Sequence, residues 1–384
     1  MVWKGILESN IRDLGELERQ GLLSPDERER LAGVTGHHPM SVTPYYLSLI
    51  DWSDPGDPIR KMAIPCEGEL STIGSYDTSG ERENTKLPGL QHKYSSTALV
   101  LVTNRCAVYC RHCFRKRLVG LPSEEILKRI EDAANYIARH GEISNVLLSG
   151  GDPFVLSNNA ISLLLDKLSP IEHLDFIRFG TRTPIVLPRR ILDDDLLSLL
   201  SEHSRPERRL FVVTQFNHPR EITEDSIRAV DALLRAGVIV NNQSVLLKGV
   251  NDSPDVLADL QSGLVGIGVN PYYVFQCRPV KRVKNSFQVP LARGYRVVED
   301  AKARLDGHSK RFKFVMSHRT GKIEVVGVMD GWMYFRYHEA KDPASMGKFF
   351  RRRLVPGAGW LEDLLERPPE KSPGDAVGAV VPHS

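Results

Sequence analysis

Three cysteines form the most informative pattern in the chain: Cys106, Cys110 and Cys113 are spaced C-x3-C-x2-C in the run CAVYCRHCFRKR. Thiolates are the usual ligands of iron–sulfur clusters. Three thiolates leave one iron of a four-iron cluster without a protein ligand, and such an open iron can bind a substrate or cosubstrate. The pattern therefore indicates redox or radical chemistry. Basic neighbours such as Arg111 and Lys116 are expected to favour the thiolate forms.

Two other interpretations of the three cysteines stay open. On a helix their positions would share one face, so a buried structural trio is conceivable, although the basic neighbours would be costly to bury. A zinc site would need a fourth ligand, which Cys66, Cys277 or His112 could supply. Zinc knuckles usually pair their cysteines in two C-x2-C units, and that pairing is absent here. We therefore favour the cluster.

The cysteines follow the first of six strand-like runs that alternate with helical runs. These runs are TALVLVT (97–103), NVLLSGG (145–151), LDFIRFGT, RLFVVTQ, VIVNNQSVLL and VNPYYVFQC, which ends near 275. The first helical run spans 123–141 and is expected to end at a cap on Gly141. Short connections and strict alternation predict an α/β fold with a parallel sheet and right-handed crossovers. We predict a partial (β/α)6 barrel, with a doubly wound sheet as the alternative.

Ligand sites in either fold lie at the carboxyl ends of the strands. The cysteines come directly after the first strand, and Gly150, Gly151 and Asp152 come directly after the second. Cys277 follows the sixth strand in the same way. The predicted fold therefore brings these segments to one site.

The rest of the chain divides by composition. We predict a helical and irregular N-terminal extension over 1–95, a barrel core over 96–285 and a C-terminal α/β cap over 286–360. The strands of the cap are FKFVMS, KIEVVGVM and WMYFRYH. A disordered tail is expected over 361–384, which is rich in Pro, Gly and Ser.

Composition excludes several classes of protein. The net charge of +3 is too small to argue for nucleic acid as a partner. No apolar run approaches the roughly 20 residues of a membrane helix, and no signal peptide is visible. Five cysteines, three of them clustered, fit ligation better than a disulfide framework. We therefore expect a reducing, cytoplasmic location.

The chain resembles the lysine 2,3-aminomutase family of radical S-adenosylmethionine (radical SAM) enzymes. Seven blocks carry the resemblance, in order along residues of about 45–335: YYLSLIDWSDPGDPIRKMAIP, LVTNRCAVYCRHCFRKR, LLSGGDP, RFGTRTPIVLPRRI, TQFNHPREIT, NNQSVLLKGVND and YYVFQC. The resemblance implies a [4Fe–4S] cluster held by the three cysteines, with S-adenosylmethionine on the open iron. An external electron donor of the flavodoxin or ferredoxin type is also implied, and family members often form homo-oligomers.

The family implies further roles around S-adenosylmethionine. Gly150, Gly151 and Asp152 would present backbone to its methionine amino group, which a Cβ would obstruct. Arg182 and Gln243 resemble two more cofactor-side positions. In the family, reductive cleavage of S-adenosylmethionine gives a 5′-deoxyadenosyl radical that takes hydrogen from an amino-acid-like substrate, and the amino group then moves between carbons 2 and 3.

Aminomutases of this family also bind pyridoxal phosphate, through a lysine that follows a Gly-rich run. Lys322 matches that lysine, and Lys93 and Tyr94 match a basic-aromatic pair that faces the phosphate. Two departures bear on the match. Thr97 stands where the family has a phosphate-binding arginine. The four glycines before the lysine are replaced by a mixed loop, which reads His318, Arg319, Thr320 and Gly321.

Substrate recognition departs furthest from the family. Arg115 matches the arginine that grips the substrate α-carboxylate. The aspartate that holds the ammonium of lysine, after the cysteine of the sixth strand, is replaced by Arg278. A second family aspartate matches Val315 or Met316. We therefore expect a substrate other than lysine. The basic loop RPVKRVK (278–284) would suit an anion, or it is simply a solvated loop.

Three hypotheses follow from the sequence. The first is a radical aminomutase that uses pyridoxal phosphate on an amino acid other than lysine, with an acidic one as a candidate. The second keeps the radical machinery without pyridoxal phosphate and acts on an anionic small molecule. The third is a zinc- or cluster-stabilised binding protein without turnover.

Overall fold

A single twelve-stranded sheet organises residues 2–365, the part of the chain that our computed structural model describes. Its strands lie in sequence order. They are β1 (Thr85–Leu87), β2 (Leu90–Tyr94), β3 (Thr97–Thr103), β4 (Asn145–Gly150), β5 (Phe176–Gly180), β6 (Arg209–Thr214), β7 (Ile239–Leu246), β8 (Asn270–Gln276), β9 (Lys313–His318), β10 (Gly321–Met329), β11 (Trp332–Ala340) and β12 (Phe349–Arg353).

Seven consecutive strands, β3 to β9, pair in parallel. Antiparallel strands flank them: β1 and β2 on one side, and β10 to β12 on the other. Within residues 2–365 the edge strands β1 and β12 do not pair with each other, so the sheet stays open. The order of the strands never reverses, as it would in a doubly wound sheet. The prediction of an α/β partial barrel is confirmed.

A helix crosses between each pair of neighbouring parallel strands. These crossover helices are α7 (Ile130–Ala138), α8 (Asn158–Leu168), α11 (Asp194–His203), α12 (Glu224–Arg235), α13 (Pro254–Gly266) and α15 (Leu291–Lys302). Polar side chains cap three of them: Ser157 for α8, Asp193 for α11 and Thr223 for α12. The remaining helices are α1 (Val2–Glu8), α2 (Leu14–Arg19), α3 (Pro25–Thr35), α4 (Pro44–Leu47), α5 (Pro58–Ala63), α6 (Glu81–Asn84), α9 (Thr183–Val186), α10 (Pro188–Ile191) and α14 (Lys284–Phe287).

The predicted helix over 123–141 is shorter in the structure. Only its second half forms α7, and the helix ends before Gly141, so the predicted cap is wrong. Tertiary contacts explain the late start. The backbone N–H of Leu127 donates to the carbonyl of Leu101 at 2.8 Å, and a Cβ on Gly89 would lie 2.2 Å from Leu127 N. The chain before α7 is therefore held against β3 and against the turn between β1 and β2, and it cannot also form a helix.

The strand FKFVMS, which we assigned to the C-terminal cap, forms β9 and pairs in parallel with β8. The crossover helix α15 connects the two strands, so this segment repeats the strand–helix–strand unit of the core. The parallel sheet thus gains a seventh strand. Only β10 to β12 form an antiparallel ribbon beyond it.

Two hydrophobic clusters fill the molecule. The larger joins the N-terminal extension to the barrel, because Trp3, Leu14 and Leu17 pack in the same cluster as Val100 and Val146. The smaller lies under α15 and the C-terminal strands. The N-terminal extension is therefore held to the barrel by shared apolar packing.

Of the predicted tail, residues 366–384 lie outside the described part of the chain. Its first residues are described: Leu361–Asp363 form a 3-10 turn, and Leu364 is buried. None of the helices in residues 2–365 combines the length and the apolar character that crossing a membrane requires.

Candidate active site

Every residue that we assigned to a site lines one cavity inside the open barrel. The predicted residues in its wall are Lys93, Tyr94, Cys106, Cys110, Cys113, Arg115, Gly150, Gly151, Asp152, Arg182, Gln243, Arg278 and Lys322. They come from β2, from the ends of the parallel strands and from the start of β10. The fold therefore gathers segments that lie more than two hundred residues apart.

The cysteine loop follows β3, and four of its basic neighbours, Arg111, His112, Arg115 and Lys116, are buried, contrary to our expectation. Arg111 is 0% exposed and Lys116 is 2% exposed. A buried carboxylate, Glu69, makes this possible. It accepts from Arg111 Nε and Nη2 at 2.8 and 2.7 Å and from Lys116 Nζ at 2.6 Å. The sequence had given no signal for Glu69, which lies far from the loop in the irregular extension.

Burial dominates the acidity of the cysteines. It raises the pKa of the Cys113 thiol to about 11, and Arg115 and Lys116 oppose that rise only in part. Burial raises the pKa of Cys106 as well. The flanking cations thus do not favour the thiolates as strongly as the sequence had suggested, because much of their charge is taken up by carboxylates.

The three thiols line one cavity as a set of soft donors. In residues 2–365, no three His, Cys, Asp or Glu side chains are close enough to share a single metal ion. A four-iron cluster makes a different demand, since each cysteine binds its own iron. The donor set and its placement fit such a cluster.

Gly150 ends β4 and Gly151 follows it, and together they bring this turn against the cysteine loop. Gly150 has φ +113°, and a Cβ on it would lie 2.3 Å from the carbonyl of Thr103. A Cβ on Gly151 would lie 2.2 Å from the carbonyl of Arg105. The N–H groups of Gly151 and Asp152 donate to these same carbonyls at 2.5 and 2.8 Å. The glycines are therefore needed for contact between two loops of the protein, and those two N–H groups are already used.

The carboxylate of Asp152 is also satisfied inside the protein. It accepts from Thr181 Oγ1 at 2.7 and 2.8 Å and from the N–H groups of Arg182 and Phe154 at 2.8 and 3.0 Å. Burial raises the pKa of Asp152, and these donors oppose the rise. The groups of the Gly-Gly-Asp turn that stay available to a ligand are therefore chiefly its carbonyl oxygens.

Arg182 lies beside the cysteines. Its Nη1 is 2.7 Å from Cys110 Sγ, and its Nε donates to the carbonyl of Gln215 at 3.1 Å. Its Nη2 contacts Glu221 and, at 3.2 Å, the hydroxyl of Tyr46. The guanidinium is thus fixed from three sides with one edge toward a sulfur. Gln243 follows a register shift in β7 and lines the same cavity.

Arg115 is held by a carboxylate that sequence reasoning missed. Glu81, at the start of α6, is buried and accepts from Arg115 Nε at 3.3 Å and from Arg117 Nη2 at 2.6 Å. Arg115 Nη1 also lies 3.2 Å from Ser149 Oγ and 3.4 Å from the carbonyl of Gly150. These contacts fix the orientation of the guanidinium in the cavity wall.

Arg278 is held by two hydroxyls. Its Nη1 donates to Ser79 Oγ at 2.9 Å, and its Nη2 donates to Ser317 Oγ at 2.7 Å. It stacks on the ring of Phe114 at 4.2 Å. No ion pair within 4 Å joins it to a carboxylate of residues 2–365, and Glu81 acts on it only from farther away. Burial lowers the pKa of Arg278 to about 10, which reflects an unbalanced charge.

The position opposite Arg278 differs from the one that we predicted. Val315 and Met316 are fully buried and lie outside the cavity wall, whereas Ser317 lines the cavity. The remaining cations of the basic loop, Lys281, Arg282 and Lys284, do not line it. Arg282 instead contacts the hydroxyl of Tyr76 at 3.2 Å and a backbone carbonyl.

Lys322 lies in the cavity wall with its ammonium between two tyrosine rings. Its Nζ donates to Glu339 at 2.5 Å and is 5.2 and 5.5 Å from the ring centres of Tyr94 and Tyr273. A Cβ on Gly321 would lie 2.2 Å from the carbonyl of Glu339, so the one retained glycine is required where β10 meets β11.

The altered residues before Lys322 do not line the cavity. His318 Nε2 is 2.6 Å from Glu362, Arg319 pairs with Glu83 at 2.5 Å, and Thr320 Oγ1 is 2.9 Å from Tyr337. Their side chains therefore bind other parts of the protein. The residues that replace the glycines therefore add no side chain to the wall of the cavity around Lys322.

Lys93 approaches the same region from β2. Its Nζ donates to the carbonyls of His318 and Ser79 at 2.5 and 3.2 Å. Burial lowers the pKa of Lys93 to about 7, and the charges of Arg278 and Lys322 lower it further. The position is thus poised to gain a proton when an anion arrives.

Comparison with known proteins agrees with this geometry. Residues 100–260 match the Radical SAM superfamily. The chain is 42% identical over 343 residues to a protein of Aquifex aeolicus (strain VF5) provisionally named L-lysine 2,3-aminomutase, which covers 89% of this chain and 91% of that protein. It is 38% identical to L-lysine 2,3-aminomutase of Clostridium subterminale, over 80% of this chain and 73% of that one. It is 36% identical to glutamate 2,3-aminomutase of Clostridioides difficile (strain 630), over 77% and 69%.

Proposed function

Because the chain belongs to the lysine 2,3-aminomutase family of radical SAM enzymes, we propose that it is an aminomutase whose amino-acid substrate carries an anionic side chain. Membership makes the chain an enzyme, which replaces the alternative of a binding protein without turnover. The family implies a [4Fe–4S] cluster and S-adenosylmethionine. Our proposal concerns the class of the substrate and the binding of pyridoxal phosphate.

The observation that carries the proposal is the state of Arg278. Its guanidinium faces the cavity, is held by Ser79 and Ser317, and has no carboxylate within 4 Å among residues 2–365. Arg278 is half-buried in the cavity wall, and a partly desolvated cation without an anionic partner favours a ligand that supplies the opposite charge. A carboxylate on the substrate side chain would supply it.

A lysine substrate would meet the opposite situation. Its distal ammonium would approach Arg278, and like charges in a desolvated site cost several kcal/mol of discrimination. Arg115 remains for the α-carboxylate, because Glu81 and Ser149 hold its guanidinium in the wall. The name of the Clostridioides difficile relative states that a protein similar to this chain acts on glutamate. These points together support an acidic amino acid.

The residues at the cysteine loop would serve the radical chemistry. Cys106, Cys110 and Cys113 would bind three irons, and the carbonyls of Gly150 and Gly151 would face the amino group of S-adenosylmethionine. When bound, the cluster supplies the electron that cleaves S-adenosylmethionine to a radical able to take hydrogen from carbon. An external electron donor of the flavodoxin or ferredoxin type would in turn reduce the cluster. The protein itself orients the reactants and excludes water.

Pyridoxal phosphate fits the region around Lys322. The amine lies between two aromatic rings, and Glu339 can hold the proton of its Nζ. When bound, the cofactor supplies a carbonyl that carries the migrating amino group. The loop substitutions that favoured an enzyme without pyridoxal phosphate face away from the cavity. The remaining feature that favours an enzyme without pyridoxal phosphate is Thr97, which stands in place of the phosphate-binding arginine.

Anaerobic reconstitution with a panel of amino acids tests the proposal. The protein is given iron, sulfide, S-adenosylmethionine, a reductant and either glutamate, 2-aminoadipate or lysine, with and without pyridoxal phosphate. We expect a 3-amino product from an acidic substrate, only with pyridoxal phosphate, in nuclear magnetic resonance spectra. Turnover of lysine with no turnover of acidic amino acids would disprove the substrate assignment. Equal turnover without pyridoxal phosphate would disprove the cofactor assignment.

A further inference from the structure

A second unbalanced arginine lies in the cavity, at the start of the block RFGTRTPIVLPRRI, and the sequence analysis assigned it no role. Arg178, on β5, lines the cavity. Its Nε is fully buried and has no hydrogen-bond partner in residues 2–365. One of its terminal nitrogens donates to Asn145 Oδ1, and its guanidinium lies 5.7 Å from the ring of Phe176. Within the same residues, no ion pair joins it to a carboxylate. The guanidinium thus keeps donors that no protein group uses.

The surroundings of Arg178 explain why this matters. Thr97 occupies the position where the family resemblance implies a phosphate-binding arginine. Thr97 Oγ1 donates to Asn145 Oδ1 at 3.2 Å, and Arg178 donates to the same oxygen. The guanidinium of Arg178 therefore lies next to the position that lacks the expected arginine, although it comes from a strand two places along the sheet.

Arg178 and Lys322, whose amine would link the cofactor, line the same cavity. Glu339 accepts from Lys322 Nζ and lies near enough to Arg178 to oppose the lowering of its pKa that burial causes. Tyr273, whose ring faces Lys322, acts on Arg178 in the same direction. Because Lys322 and Arg178 line the same cavity, one ligand fixed to Lys322 can extend toward Arg178.

We infer that Arg178 binds the phosphate group of the pyridoxal phosphate attached to Lys322, in place of the arginine missing at Thr97. The inference rests on the proposed binding of pyridoxal phosphate. A phosphate ester carries close to two negative charges and suits the forked donors of a guanidinium. Lys93 contributes less, because two of its three N–H donors are used by the carbonyls of Ser79 and His318.

Comparison of pyridoxal phosphate with pyridoxal tests the inference without any measurement of turnover. Both compounds can attach to Lys322, and only the first carries the phosphate. The visible absorbance of the lysine-linked compound is titrated for the wild type, Arg178→Gln and Arg178→Lys. Arg209→Gln is the matched control, since Arg209 lies on the neighbouring strand β6 and outside the cavity wall.

We expect the wild type and Arg209→Gln to prefer pyridoxal phosphate, and Arg178→Gln to reduce that preference about tenfold or more, because charge-assisted hydrogen bonds are lost. Affinity for pyridoxal should change little. Arg178→Lys should keep part of the preference and covers the case in which the glutamine variant does not fold. Adding Thr97→Arg to Arg178→Gln should restore much of the preference.

Two results overturn the inference in distinguishable ways. Equal weakening of both compounds in the Arg178 variants, or no weakening, would mean that Arg178 does not bind the phosphate, while the proposed cofactor stands. Absence of lysine-linked absorbance with either compound in the wild type would overturn the proposed cofactor and, with it, the role of Arg178.

Discussion

Two regions of one cavity differ in how their charges are balanced. In the cysteine region, formed by the cysteine loop and the Gly-Gly-Asp turn, Glu69 pairs with Arg111 and Lys116, and Asp152 accepts hydrogen bonds from three donors. In the cationic region, formed by Lys93, Arg178 and Arg278, no carboxylate of residues 2–365 lies within ion-pair distance. The difference teaches that the charges of the first region are balanced within the protein. The cations of the second region have no carboxylate partner among the same residues and can bind an anionic ligand.

The largest effect is expected from removing one thiol of the cysteine region. Cys110→Ala should lose iron and sulfide binding and the cleavage of S-adenosylmethionine to 5′-deoxyadenosine, because three thiolates are needed for the cluster. Iron analysis and electron paramagnetic resonance measure the cluster. Cys66→Ala is the control, as this half-buried cysteine lies outside the cavity. A full cluster in Cys110→Ala would show that this thiol is not an iron ligand.

A substitution at Glu69 tests whether the cysteine region is held together by its own ion pairs. Glu69→Gln leaves Arg111 and Lys116 buried without a counter-charge and should lower the free energy of unfolding by about 3–5 kcal/mol. Urea unfolding measures the loss. Glu67→Gln is the control; its exposed pair with Arg30 should contribute about 1 kcal/mol or less.

The same carboxylate predicts a dependence of stability on pH. Burial alone would raise the pKa of Glu69, but Lys116 and Arg111 outweigh burial and hold the pKa below its ordinary value. Its contribution is therefore complete above the pKa of the unfolded chain and is lost as the pH falls through the pKa of the folded state. The Glu69→Gln variant should lack this part of the acid-induced loss.

Arg278 tests the other half of the comparison. Arg278→Gln should raise KM for an acidic amino acid roughly 10- to 100-fold, since a charge-assisted hydrogen bond is lost. Cluster content should not change. Lys281→Gln removes a charge from the same loop but outside the cavity wall, and it should leave KM near the wild-type value. An equal rise in both variants would show that the loop acts only through its net charge.

The smallest expected effect is the uptake of a proton when pyridoxal phosphate binds. The pKa of Lys93 is lowered to about 7 by burial and by nearby cations. An anion bound beside it should raise that pKa, so near pH 7.5 the binding of pyridoxal phosphate should take up part of a proton. Isothermal titration in buffers of different ionisation enthalpy measures the uptake. Lys93→Met should abolish it, and uptake that persists in that variant would assign the proton elsewhere.

The fold was largely predictable because its signals are local. Strand-like runs between 97 and 275 gave the six strands β3 to β8, and the seventh, β9, was visible as a strand although not as part of the parallel sheet. The start of α7 was mispredicted because a contact between Leu127 and Leu101 outweighs helical periodicity. Such contacts join residues that are distant in the sequence, and no local pattern announces them.

The site was predictable only where its residues stand in motifs. Glu69, Glu81 and Ser317 carry no motif, and their roles follow from the cations that the fold brings to them. Arg178 begins one of the family blocks but was assigned no role, because its importance depends on an Nε that lacks a partner in three dimensions. Spacing along the chain can indicate which ligands a protein holds, but it cannot indicate which charges remain unpaired.

The contact between the glycines of the second loop and the cysteine loop has a consequence for the order of assembly. Both loops belong to one strand–helix–strand unit, β3–α7–β4, whose carbonyls at Thr103 and Arg105 meet the N–H groups of Gly151 and Asp152. The pairing of β3 with β4 joins residues as far apart as Thr97 and Asn145, whereas β9 and β10 form a hairpin in which His318 pairs with Gly321. Pairings between nearby residues form sooner, so we expect the cysteine pocket to be completed after the hairpin that carries Lys322. Pulsed hydrogen exchange should then protect the N–H groups of β10 before that of Gly151.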